Sequence, residues 1–151
     1  MEEIIGKLGS NIDWVALYIG TISIIIAVFA YIDNKKNTKE VKLNYIDEKI
    51  DRARANYHTN AMEIAKMKAD TPEKKLIMEK SDTAAIEAIL NAYEDGCDAF
   101  FKKKIKQRDF SDKYHTDIRQ FVEQYEKKFA SPITAFANML KYYKKYHRMG
   151  K

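Results

Sequence analysis

The sequence is poor in the residues that build turns, crosslinks and most catalytic centres. Of 151 residues, one is cysteine, two are proline and five are glycine. A lone Cys97 excludes an intramolecular disulfide and agrees with a reducing compartment. Strand-rich domains need more Gly and Pro than this, and two of the five glycines precede residue 10. The chain therefore reads as all-α. No glycine-rich phosphate loop, CxxC or HExxH occurs, and the three histidines lie far apart. Neither a catalytic centre, a metal site nor a cofactor is expected.

One absence is local and sets the layout. From Trp14 to Ile32 the chain carries no charge over nineteen residues, with Asp13 and Asp33 at its ends. As a helix this run is ~28 Å long, close to the hydrocarbon thickness of a bilayer. Only Thr21 and Ser23 interrupt its apolar surface, where a core helix of this length carries a polar face. It reads as a transmembrane helix. A cleaved signal peptide fits less well, because Glu2 and Glu3 stand where positive charge is needed. Lys35, Lys36, Lys39 and Lys42 follow the run. By the positive-inside rule they place everything after Asp33 in the cytoplasm and the N-terminus outside. The expected location is a bacterial inner membrane, crossed once. Ala16, Gly20, Ser23, Ala27 and Ala30 share one helical face of small residues. Such faces let spans approach closely, so a homo-oligomer within the lipid bilayer is expected.

The expected organisation is a leader (1–13), a span (14–32), a juxtamembrane linker (33–38) and a cytoplasmic helical domain (39–151) of about four helices. Residues after Ile32 hold 26 Lys/Arg and 19 Asp/Glu, a net charge of +7. That balance suits anionic neighbours.

Leu43, Ile46, Ile50, Ala53, Tyr57, Asn60, Ile64 and Met67 repeat every seven residues to about Ala69. A parallel oligomeric stalk and one helix of an intramolecular bundle both satisfy this pattern, and Ala53 and Asn60 favour the bundle. Its phase does not continue the small face of the span, so a stutter or break is expected at residues 34–38. Thr71-Pro72 starts a second helix, expected to about Lys104 with Leu76, Thr83, Ile86, Leu90, Tyr93, Cys97 and Phe100 buried. Asp95-Gly96 is an expected interruption. A third helix is expected from a Ser111 cap to about Phe129, burying Tyr114, Ile118, Phe121, Val122 and Tyr125. A last one follows Ser131-Pro132 and carries Ile133, Phe136, Ala137, Leu140 and Tyr143.

Glu87, Glu94 and Asp98 share a helix face. A hard cation needs oxygen ligands from further elements, so a solvated acidic face is expected there. Cys97 reads as a small buried hydrophobe.

The best binding candidate is the last helix. Lys141, Lys145 and Arg148 recur at i, i+4 and i+7, with Tyr142, Tyr146 and His147 between them. Cations beside flat rings suit phosphates and bases. The basic run Lys102–Arg108, with Lys104 and Arg108, is a second candidate patch. The expected ligand is a cyclic nucleotide or another anion, with Tyr142 or Tyr146 stacking on a base. DNA is not expected as a partner. The same residues would equally suit an anionic lipid surface or an adaptor role toward a protein partner.

Two resemblances bear on this. Arg52-x5-His58 and Arg108-x6-His115 resemble the motif of the HEPN ribonucleases, all-α domains that cut RNA in a dimer cleft. Ala53 stands where that motif commonly carries a polar residue, and Asp109 fits better. The layout of the whole chain resembles small single-pass membrane effectors of bacterial antiviral systems, including the CRISPR-associated type. That resemblance implies a cytoplasmic domain binding a cyclic oligoadenylate and acting on the membrane. No motif carries it, and no site residue transfers.

Overall fold

The computed structural model describes residues 2–67, 70–131 and 134–147, with side chains other than those of 2–13, 15 and 147. Among them the chain is helical and contains no strand. It falls into two units, Met1–Thr38 and Lys39–Lys151.

From Glu2 onward the first unit is helical and belongs to α1 (Glu2–Lys66). Its apolar stretch has a mean hydropathy of 2.0, and none of it is buried within the molecule. Among the described residues α1 is the one helix long and apolar enough to cross a membrane. Thr21 Oγ1 donates to the Leu17 carbonyl, and Ser23 Oγ to that of Ile19 at 2.8 Å. The two hydroxyls are thereby satisfied inside the helix. Residues 33–38 are helical, and the expected break there is absent. Polar side chains bridge successive turns instead, with Asn37 donating to Asp33 and Thr38 Oγ1 to the Asn34 carbonyl.

The second unit comprises the rest of α1, α2 (Pro72–Phe101), α3 (Gln107–Gln124), a single turn α4 (Glu126–Phe129) and α5 (Ala137–His147). One core joins them. Ile46 and Ile50 of α1 meet Leu90, Tyr93, Cys97 and Phe100 of α2, Phe110, Tyr114 and Ile118 of α3, and Met139 and Tyr142 of α5. The seven-residue repeat of α1 thus divides. Leu43 to Ala53 are buried in this core, Tyr57, Asn60 and Ile64 are half-buried, and Met67 is exposed.

The start of α2 follows from its sequence. Pro72 occupies the first turn, and Thr71 Oγ1 accepts the Lys74 N–H at 3.3 Å. Leu76 and Thr83 are exposed, so burial on α2 begins only at Ile86, nearly three turns after the expected Leu76. Gly96 does not interrupt the helix. It is buried, and a Cβ built there would lie 2.6 Å from the Phe110 ring and 3.3 Å from Ile46. Its role is close packing.

Three boundaries differ from expectation. Helix α3 begins at Gln107, not at Ser111, because Ile105 and Phe110 are both buried and draw the first turn into the core. Ser111 Oγ instead accepts the Tyr142 hydroxyl at 2.9 Å. Tyr125, at φ −111° and ψ 38°, separates α3 from α4. Residues 132 and 133 of the expected last cap lie outside the described residues. Helix α5 begins only at Ala137, and its buried face is Phe136, Met139 and Tyr142, with Ala137 exposed. The helix is rotated from the expected phase.

Candidate functional site

The end of α2 is a sharp stop built without glycine. The Lys103 N–H donates to the Phe100 carbonyl at 3.1 Å, and the Lys104 N–H to that of Ala99 at 2.9 Å. These two bonds define a Schellman closure, which places Lys103 in the left-handed region at φ 55°. Glycine is the usual residue there, and a lysine costs ~1 kcal/mol more. Among the described residues Lys103 is the sole non-glycine with positive φ. Ile105, almost fully buried, then anchors the turn to the core.

The cations of this run divide into two groups. Lys102 pairs with Asp98 at 2.8 Å, Lys106 with Glu40 at 2.9 Å, and Arg108 with Asp112 at 3.7 Å. The hydrogen bond to Glu40 holds the Lys106 ammonium above its ordinary pKa. Lys103 and Lys104 are exposed and meet no carboxylate among the described residues.

Helix α5 packs against the same end of α2. Lys141 Nζ sits 4.3 Å from the centre of the Phe101 ring, and Lys145 Nζ sits 5.4 Å from that of Phe100. Their aliphatic stems cover apolar surface while the ammonium groups stay in water. Neither is ion-paired among the described residues. Through Phe100 and Phe101, the Lys141/Lys145 pair and the Lys103-Lys104 turn gather at the carboxyl end of α2. The negative end of that helix dipole favours cations there.

The remaining expected residues fall elsewhere. Tyr142 cannot stack on a ligand, because it is wholly buried and its ring lies 5.1 Å from that of Phe100. Burial, as the main cause, pushes its phenol up to about 12. Tyr146 is half-buried, with Tyr142 at 4.7 Å and His115 at 5.6 Å taking its ring. Arg108 is largely exposed and held by Asp112, outside the group. Arg148 lies outside the described residues. Lys103 is the member that spacing alone did not single out. The available signal was a basic run ending a helix with no glycine to close it.

On the acidic face of α2 Glu87 is exposed, while Glu94 is half-buried and structural. Glu94 accepts the backbone N–H groups of Asn138 and Met139 at 2.9 and 2.8 Å, and the Asn138 side-chain amide at 2.7 Å. It is the cap of α5, supplied across the bundle. Glu87 pairs with Lys128, and Asp98 with Lys102. No cluster of three potential metal ligands occurs among the described residues.

The paired Arg-His spacings do not form one site. Arg52 pairs with Glu48 and is exposed, and it is Arg54 that lines the same cavity as His58. His115 Nδ1 is buried without a hydrogen-bond partner.

No family model matches this chain, and comparison with curated proteins and with solved structures gives no match.

Proposed function

We propose that the chain is a single-pass membrane protein whose helical unit, on the cytoplasmic side, binds a phosphate-bearing anion of the nucleotide second-messenger class. The observation that carries this reading is the set of unneutralised cations at the end of α2. Among the described residues Lys103, Lys104, Lys141 and Lys145 meet no carboxylate, while Lys102, Lys106 and Arg108 beside them each have one. Like charges held together cost free energy that a multivalent anion offsets. The strained Lys103 supports the same reading, because strain is retained where a side chain is needed in place.

Recognition here runs through phosphate. Tyr142 and Tyr146 of α5 are engaged in the aromatic core, so neither reads a base on this face. The apolar face of the first unit supports the anchor, and its small-residue stripe supports assembly of several copies. Ligand binding would then shift the packing of the spans by its differential affinity for two assemblies. The antiviral role implied by the layout belongs to this reading.

The test is calorimetry on the full chain in nanodiscs of zwitterionic lipid. Cyclic oligonucleotides should give saturable heat, weakened about tenfold or more by Lys141→Glu with Lys145→Glu, and weakened by added salt. No heat with these ligands, together with binding to anionic vesicles, would replace this reading with a lipid-surface adaptor.

A further inference from the structure

A cavity of about 410 Å³ lies between α1, α2 and α3. Its size falls within the ~300–1,000 Å³ typical of small-molecule sites. It shares no residue with the basic face, and its character is different.

Its polar centre is a neutralised pair. Arg54 Nη2 donates to the Asp117 carboxylate and to the Tyr93 hydroxyl, which itself donates to Asp117 at 3.2 Å. Burial disfavours the Arg54 charge, but Tyr93 and Asp117 outweigh that effect and raise its pKa. Arg54 therefore stays a cation and Asp117 its counter-ion. Both hydrogens of Nη2 are used, which leaves the N–H groups of Nη1 and Nε. Asp117 uses Oδ2 for both bonds, which leaves Oδ1 as an acceptor. Arg54 and Asp117 line the cavity together with His58, so it holds donors and an acceptor side by side, with the Arg54 charge compensated by Asp117.

The walls are aromatic. Phe121 and Tyr125 lie nearly parallel, 16° apart with centroids at 6.1 Å, and Tyr57 adds a third ring from α1. Gln120 and Gln124, one turn apart on α3, are exposed and line the same cavity. Each amide carries both a donor and an acceptor.

These features select a ligand by exclusion. A polyanion would meet the Asp117 carboxylate with the Arg54 charge already compensated. An aliphatic chain would strip water from Arg54 and Asp117 and return no hydrogen bond, at a cost of ~1–3 kcal/mol for each unsatisfied group. A flat molecule with apolar faces and an edge of alternating donors and acceptors satisfies both walls and centre. We infer that this cavity binds the base of a nucleoside, with the aromatic rings against its faces and Arg54, Asp117, Gln120 and Gln124 on its edge. The inference does not rest on the anion-binding face.

The experiment uses the full chain in detergent micelles and four neutral probes, adenosine, guanosine, cytidine and uridine. Saturation-transfer NMR should show transfer to the base protons of at least one, with binding tighter than about 10 mM. Gln120→Ala with Gln124→Ala should weaken that binding about tenfold, while circular dichroism shows the helices unchanged. Gln120→Ala alone, at an exposed residue, should weaken it in the same direction and carries the test if the double variant unfolds. Lys141→Ala with Lys145→Ala should leave nucleoside binding unchanged, which separates this result from the fate of the basic face. Transfer to none of the four nucleosides, or binding that survives the Gln variants undiminished, would overturn the inference.

Discussion

Single residues in this bundle are fixed by what their neighbours leave room for. Gly96 faces the edge of the Phe110 ring, and Phe110 is wholly buried and unable to retreat. Alanine in an exposed helix would gain about 1 kcal/mol over glycine. Here the added methyl meets the ring at 2.6 Å, and overpacking of that kind costs ~1–3 kcal/mol. Gly96→Ala should therefore lower the denaturant midpoint of the helical unit, followed by circular dichroism. A raised midpoint would show that Phe110 moves aside. Cys97 obeys the same logic, since burial foremost, with Glu94 nearby, pushes its thiol up and leaves it a packing atom.

At the level of elements, helix ends depend on contributions from other helices. The first amides of α5 have no cap from their own segment among the described residues; Glu94 of α2 takes them. Glu94→Ala would leave two N–H groups of α5 without their acceptor, at a cost of about 2 kcal/mol. Hydrogen exchange should then speed up at Asn138 and Met139 before it does in α2. Uniform exchange across the bundle would refute a local role. The end of α2 gives the opposite experiment. Lys103→Gly relieves the positive φ and should raise stability by up to about 1 kcal/mol while weakening binding of a phosphate-bearing anion. A variant that is more stable and binds equally well would remove Lys103 from the proposed face.

For the molecule as a whole, alkaline pH is the condition that reaches several helices at once. Burial foremost raises the phenols of Tyr93, Tyr114 and Tyr142, the last to about 12, against ~10 for an unfolded chain. The fold thus favours the neutral phenol. The stability this supplies is complete below pH ~10 and is lost as pH rises toward and through 12. Tyr142→Phe removes one of these groups along with its bond to Ser111. It should be less stable at neutral pH by about 1 kcal/mol, yet lose less between pH 10 and 12, as read by circular dichroism at each pH. An identical alkaline slope would show that Tyr142 does not contribute. Topology is the other whole-chain property. A reporter fused to the C-terminus should be active in the cytoplasm, because Lys35, Lys36, Lys39 and Lys42 follow the apolar run. Periplasmic activity would reverse the proposed orientation.

Periodicity and end signals were local enough to read directly. The scarcity of Gly and Pro carried the all-α class, the uncharged run from Trp14 to Ile32 marked the apolar helix, and Thr71-Pro72 located the start of α2. Each depends on residues within a few turns of one another. The phase of α5 was not local. Tyr142 and Tyr143 are adjacent, both aromatic and equally suited to an inward face, and which one turns in depends on Ser111 and Phe100 from other helices. The same holds for Glu94, whose partners lie 44 and 45 residues away, and for Lys106, whose counter-ion Glu40 comes from α1. Sequence supplied the cations at the carboxyl end of α2. The i,i+4 pairs of Lys102 with Asp98 and of Arg108 with Asp112 each lie along one helix. Only the tertiary structure brought Glu40 of α1 to Lys106 and set Lys141 and Lys145 against the rings of α2, because distances between helices are not contained in the spacing along one of them.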